Sequence, residues 1–103
     1  MMRAMMGNKN YQITITTNGS FEHDNIGLKI NDIDVIDQIS KPTVIGYKKG
    51  DVLTFYDIVG FASRVTVDGV DHNISYGGSY SFVATGLHTI NIESWGKHAG
   101  GAN

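Results

Sequence analysis

A chain of 103 residues is one domain's worth of polypeptide, and its 8 basic and 10 acidic residues form no run or stripe, which argues against a nucleic-acid backbone as the main partner. The absence of cysteine excludes disulfides, thiolate metal sites and thiol nucleophiles. No apolar run approaches the roughly 20 residues that a membrane helix needs, so a membrane is not an expected partner.

The opening MMRAMMG turns polar at Asn8 before an apolar region of about 7–15 residues develops, so no secretion signal is expected. Residues 1–10 read as a flexible N-terminal segment and the Gly-rich GKHAGGAN, 96–103, as a flexible tail. Between them, 11–95 reads as a single domain. Thirteen glycines against one proline, Pro42, suit short strands joined by many turns.

The hydropathy period along 11–95 is two almost everywhere, with no long stretch at helical spacing. Strands are expected at 11–17, 27–30, 33–37, 43–47, 51–58, 62–67, 70–75, 79–83 and 87–94. Gly, Asn and Asp punctuate them. The fold class that follows is all-β, an antiparallel sandwich or barrel of about seven to nine short strands.

Two hairpins can be registered by counting. In GLKINDIDVI a two-residue turn at Asn31-Asp32 pairs Ile30 with Ile33 and Leu28 with Val35, and sets Lys29 against Asp34. In SRVTVDGVDHNI the turn Asp68-Gly69 pairs Val67 with Val70, Thr66 with Asp71 and Val65 with His72. Both turns require positive φ, which Asn, Asp and Gly tolerate. A sandwich this small has exposed edges, and Lys29, Lys48 and Lys49 are expected to protect some of them.

The stretch ATGLHTINI poses a different question. A two-residue turn at Thr85-Gly86 would set Phe82 against Thr89 and put the apolar faces out of phase. A three-residue loop, Thr85-Gly86-Leu87, restores phase by pairing Phe82 with Ile90. A corner between two sheets is also in phase, because each strand then faces the core from its own side. The segment resembles the E–F corner of immunoglobulin-like sandwiches, Asp-x-Gly-x-Tyr-x-Cys, with Ala84, Gly86, His88 and Ile90 at the four positions. Only the glycine matches outright. Upstream, KKGDVLTF is similar to the turn and strand B of such modules, so the resemblance covers 48–94. It implies an immunoglobulin-like β-sandwich and a corner at 84–88.

Candidate chemistry is sparse. His23, His72, His88 and His98 show no His-x-His or other metal-ligand spacing, and His72 and His88 read as core-edge or capped residues. Asp32, Asp34 and Asp37, and Asp68 and Asp71, lack the Asp-x-Asp-x-Asp-Gly order of a Ca²⁺ loop and read as solvated turn residues. No metal or cofactor is expected. Gly-x-Ser-x-Gly is absent, and Gly77-Gly78 is too short to cradle a phosphate. An enzyme is not expected.

The remaining signal is aromatic. Tyr76 and Trp95, with the Gly77-Gly78 loop, form the candidate partner-binding set. Tyr80 alternates with Phe82 and reads as core. The chain's Asn- and Ile-rich, Pro-poor character resembles the small immunoglobulin-like accessory modules of bacteriophage capsids and tails. That resemblance implies a structural, virion-located protein, with a capsid, tail or cell-surface protein as partner and homo-oligomerisation in view.

Two alternatives remain. Cysteine protease inhibitors of the chagasin type present three loops at one end of such a sandwich. Ile58-Val59-Gly60-Phe61, Tyr76-Gly77-Gly78 and Glu93-Ser94-Trp95 stand in the same order, without the family's prolines. A carbohydrate-binding module would use Trp95 and a tyrosine as stacking platforms.

Overall fold

The computed structural model describes residues 10–19, 26–58, 63–74 and 77–94. They form nine strands and no helix: β1 (Asn10–Gly19), β2 (Ile26–Ile30), β3 (Ile33–Ile36), β4 (Thr43–Lys48), β5 (Val52–Asp57), β6 (Ser63–Val67), β7 (Val70–Ile74), β8 (Ser79–Val83) and β9 (Ile90–Ser94). The strands build two sheets, a five-stranded one in the order β4-β1-β9-β6-β7 and a four-stranded one in the order β3-β2-β5-β8. Pairing is antiparallel throughout except between β1 and β9. The architecture is a β-sandwich, the first of the two forms that the period-two pattern allows. The flexible segments and Trp95 expected outside 11–94 lie beyond the described residues, apart from Asn10, which begins β1.

The core is made where the alternating residues of both sheets meet. Ile15, Val65 and Ile92 from one sheet and Ile26, Leu28, Leu53 and Phe55 from the other are fully buried. Tyr80 and Phe82 pack against this cluster as partly buried residues, and the His72 ring stacks on Tyr80 with centroids 3.8 Å apart. That stack joins edge strand β7 to edge strand β8 and closes one side of the sandwich.

The Asp68-Gly69 hairpin forms in the expected register, Val67 opposite Val70, Thr66 opposite Asp71 and Val65 opposite His72. Its turn residues take φ of 52° and 85°. Asn31 and Asp32 are also left-handed, at 53° and 66°, and Ile30 faces Ile33 and Lys29 faces Asp34 as counted. The next pair differs. Leu28 stands opposite Ile36, not Val35, because a bulge adds one residue to β3. Counting from the turn assumes an unbroken ladder, and the bulge breaks it. Lys29 also differs from expectation: it sits on β2, between β3 and β5, and guards no edge.

Lys29 instead lies over the Tyr56 ring, 5.2 Å from its centroid, and the Tyr56 hydroxyl donates to Asp34 Oδ1 at 3.1 Å. Tyr56 faces Gly27 across the ladder, and a Cβ at Gly27 would overlap the outer end of its ring. Burial and the Asp34 carboxylate hold the Tyr56 phenol above its ordinary value. Gly27→Ala is therefore expected to swing the ring out and break the Asp34 bond, at a cost of about 1 kcal/mol. Ultraviolet titration should show the Tyr56 phenol moving back down; an unchanged titration curve would mean the ring stays in place.

Candidate functional site

Hydrogen bonds sort the connections into two ends. One end gathers three turns and the β8–β9 connection: Asn31 N donates to Val52 O, Gly50 N to Ala84 O and Asp68 N to Thr89 O, each at 2.8 Å. The opposite end holds the termini of β5 and β9 and the start of β8.

At that opposite end lie the two described members of the predicted partner-binding set. Gly77 N donates to Asp57 Oδ2, and Asp57 N donates to Gly78 O at 2.9 Å. The Gly77-Gly78 loop is thus clamped to the end of β5, with Gly77 left-handed at φ 72°. Tyr76 and Trp95, the other two members, lie outside the described residues. Ser94, next to Trp95, pairs with Ser63, which in turn faces Ile74 at the end of β7. The described flanks of all three inhibitor-like loops therefore share this end.

At the turn end, β8 and β9 belong to different sheets. The stretch from Ala84 to Thr89 is a corner and not a hairpin, and β9 starts at Ile90, later than the expected residue 87. Ala84 and Ile90 bury their side chains on either side of it. His88, at the tyrosine position of the resemblance, bonds its ring back to the backbone: Thr85 N donates to Nε2 at 3.0 Å. Accepting that proton requires a lone pair on Nε2, so the ring is neutral with its hydrogen on Nδ1. Nδ1 donates to Asp68 Oδ2 at 2.6 Å.

A tyrosine with no local sign in the sequence locks the same corner. Tyr47, on β4, is 3% exposed. Its hydroxyl donates to Gly86 O at 2.8 Å and accepts from His88 N at 3.0 Å. Burial, ahead of the nearby Asp68 charge, raises the Tyr47 phenol above its ordinary value, although the His88 N–H bond opposes the shift. Tyr11 packs on Tyr47 with centroids 5.8 Å apart, and Phe82 meets His88 edge-on at 5.1 Å.

Asp68, His88 and Thr85 resemble an acid–base–hydroxyl set, but the geometry serves a lock. Thr85 Oγ1 stands 3.5 Å from Nε2, beyond the roughly 2.6–3.2 Å that proton abstraction needs. The lone pair in question is already taken by an amide. The His88 side chain is 9% exposed, while that of Asp68 is 49% exposed.

Asp68 does the electrostatic work at this corner. The His88 ring first, and the Thr89 N–H second, hold its carboxyl below the ordinary 3.8. A depressed folded value means that the contribution is present at pH above about 4 and fades as pH falls through the folded value. With the carboxylate half exposed, its worth is about 1 kcal/mol or less. Asp68→Asn is expected to flatten the acid limb of the stability curve, read from urea melts between pH 7 and 3. Parallel limbs for variant and wild type would refute the assignment.

Beside the lock a groove of about 610 Å³ opens, lined by Ile13, Thr14, Leu87, Thr89 and Ile90 among others. It exists because β1 changes neighbours. Residues Asn10 to Ile15 pair with β4, and pairing with β9 begins only at Thr16. The corner folds away from the first half of β1 and leaves its flank open.

The outer face of the five-stranded sheet is polar and bonded to itself. Thr16 donates to Asn91 Oδ1 at 2.6 Å, Asn91 to Asn18 Oδ1 at 2.8 Å and Thr66 to Asp71 Oδ1 at 2.7 Å. Arg64 pairs with Glu93 at 3.2 Å. Among the described residues no group of three or more His, Cys, Asp and Glu side chains could hold a metal ion.

Comparison with known proteins finds no family model, no curated protein and no solved structure that matches the chain.

Proposed function

We propose that this chain is a binding and assembly module without turnover, working through protein–protein contacts as an accessory protein of a virion capsid or tail, or of a cell surface. The observation that carries the reading is the position of the exposed apolar side chains. Of the eight exposed large apolar side chains among the described residues, Ile33 and Val35 lie on β3, Val44 on β4, Val70 on β7 and Val83 on β8, while Val52, Ile58 and Leu87 lie elsewhere, so each of the four edge strands bears at least one. Single exposed aliphatics need no explanation. Their recurrence on edges is different, because an edge strand is where another chain meets a sheet most readily. The likeness to immunoglobulin-like accessory modules supports the same reading through the β8–β9 corner, which passes between sheets as that pattern requires. The test is co-sedimentation of the purified protein with capsids, tails and cell envelopes. Retention on one of these supports the module; recovery in the supernatant from all of them overturns it.

A second reading, a chagasin-like inhibitor of papain-type proteases, is favoured by one observation: Asp57, Gly77-Gly78 and Ser94 flank its three loops at a single end of the sandwich. Inhibition of papain at micromolar concentration would establish it, and full protease activity would end it.

A further inference from the structure

The side of the sandwich bearing β3 and β4 carries charge in an ordered way. Asp32, Asp34 and Asp37 lie on or beside β3, with no basic residue between them. Lys41, Lys48 and Lys49 flank β4, with no acidic residue between them. All six are exposed. Among the described residues no ion pair joins these two sets within the chain.

Both strands are sheet edges. Both also expose apolar surface, with Ile33 at 67%, Val35 at 49% and Val44 at 58%. The opposite edges, β7 and β8, are joined by the His72–Tyr80 stack. Among the described residues no such stack links the β3 and β4 edges.

We infer that the β3 edge of one copy docks against the β4 edge of a second copy of this chain. Strand direction and charge agree on this pairing. β3 runs from the turn end to the opposite end, and β4 runs back. Laid antiparallel, Asp32 comes to Lys48 and Lys49, while Asp37 comes to Lys41. Val44 then lies between those charges, facing the stretch that bears Ile33 and Val35. The like pairings are disfavoured by the same charges: two β3 edges oppose three aspartates with three, and two β4 edges oppose three lysines with three. The β3 bulge and Pro42 at the head of β4 shorten the run available for backbone pairing. Side-chain complementarity therefore decides the partner.

The inference rests on the assembly reading above and specifies its partner. The experiment is light scattering of the purified chain over a range of concentrations, at low and high salt. Wild type is expected to exceed the mass of one chain at low salt and to fall toward it as salt rises, since exposed ion pairs are screened. Two charge-reversed variants follow, Lys41→Asp with Lys48→Asp, and Asp34→Lys with Asp37→Lys, each checked for folding by circular dichroism. Each alone is expected to have the mass of one chain. Mixed in equal amounts they should associate again, because each then meets its opposite.

Asp37→Lys alone serves if the Asp34 change, which removes the Tyr56 bond, prevents folding. A wild type of one-chain mass throughout overturns the inference, as does either variant that keeps the wild-type mass. A one-chain protein that still sediments with particles removes the self-contact and leaves the module reading. A self-associating protein recovered from every supernatant does the reverse.

Discussion

Phe55→Ala is expected to lower stability by about 3–5 kcal/mol, the usual cost of deleting a buried aromatic ring. Phe55 is fully buried on β5, with Leu28 opposite it on β2 and Tyr80 opposite it on β8. Two neighbours, each held by its own ladder, leave the cavity little freedom to collapse, so the upper part of the range applies. A domain of this size is stable by about 5–15 kcal/mol in all, so one ring accounts for a large share. The melting temperature should drop by roughly 15–30 °C. Val44→Ala, on an exposed edge, should change stability by less than about 0.5 kcal/mol. Paired thermal and urea melts read both. A Phe55 variant as stable as the Val44 variant would place the ring outside the core.

Tyr47→Phe removes one oxygen and is expected to cost about 2–3 kcal/mol. The loss exceeds that of an ordinary hydrogen bond because two backbone groups lose their partner together, the Gly86 carbonyl and the His88 amide. The phenylalanine ring keeps the packing on Tyr11 and His88, so the packing contribution changes little. The effect should be local as well as global. In hydrogen exchange, the His88 amide should lose protection out of proportion to amides of the β5 and β6 ladders. The phenol itself adds an alkaline prediction. Its folded value is raised, so the stability it carries is intact below pH 10 and falls as pH rises through the folded value. The phenylalanine variant lacks that alkaline slope. Uniform exchange across the chain would show that the corner does not depend on this hydroxyl.

These two residues mark different depths of legibility. Phe55 can be found by reading alone: it alternates with Leu53 in a β-rich run, and period two sends both inward. Tyr47 also alternates, with Ile45, and the same rule buries it. The rule says nothing of its hydroxyl, whose partners lie 39 and 41 residues further along the chain. His88 falls between the two cases. Its position in the corner pattern marks it, and the Thr85 bond is local, but Asp68 reaches it from a separate hairpin.

The sequence by itself determined what depends on near neighbours along the chain. That includes nine strands, two left-handed turns, the inward set of side chains, and a phase conflict in ATGLHTINI that weighs against a two-residue turn. Tertiary structure decided the rest. It placed β1 beside β9 in the one parallel pair, inserted the β3 bulge, moved Lys29 away from an edge, and brought three Asp and three Lys to two adjacent sheet edges. Periodicity fixes which way a side chain points within its own strand. Which strands become neighbours is settled by burying both inner faces at once, and no window of a few residues contains that information.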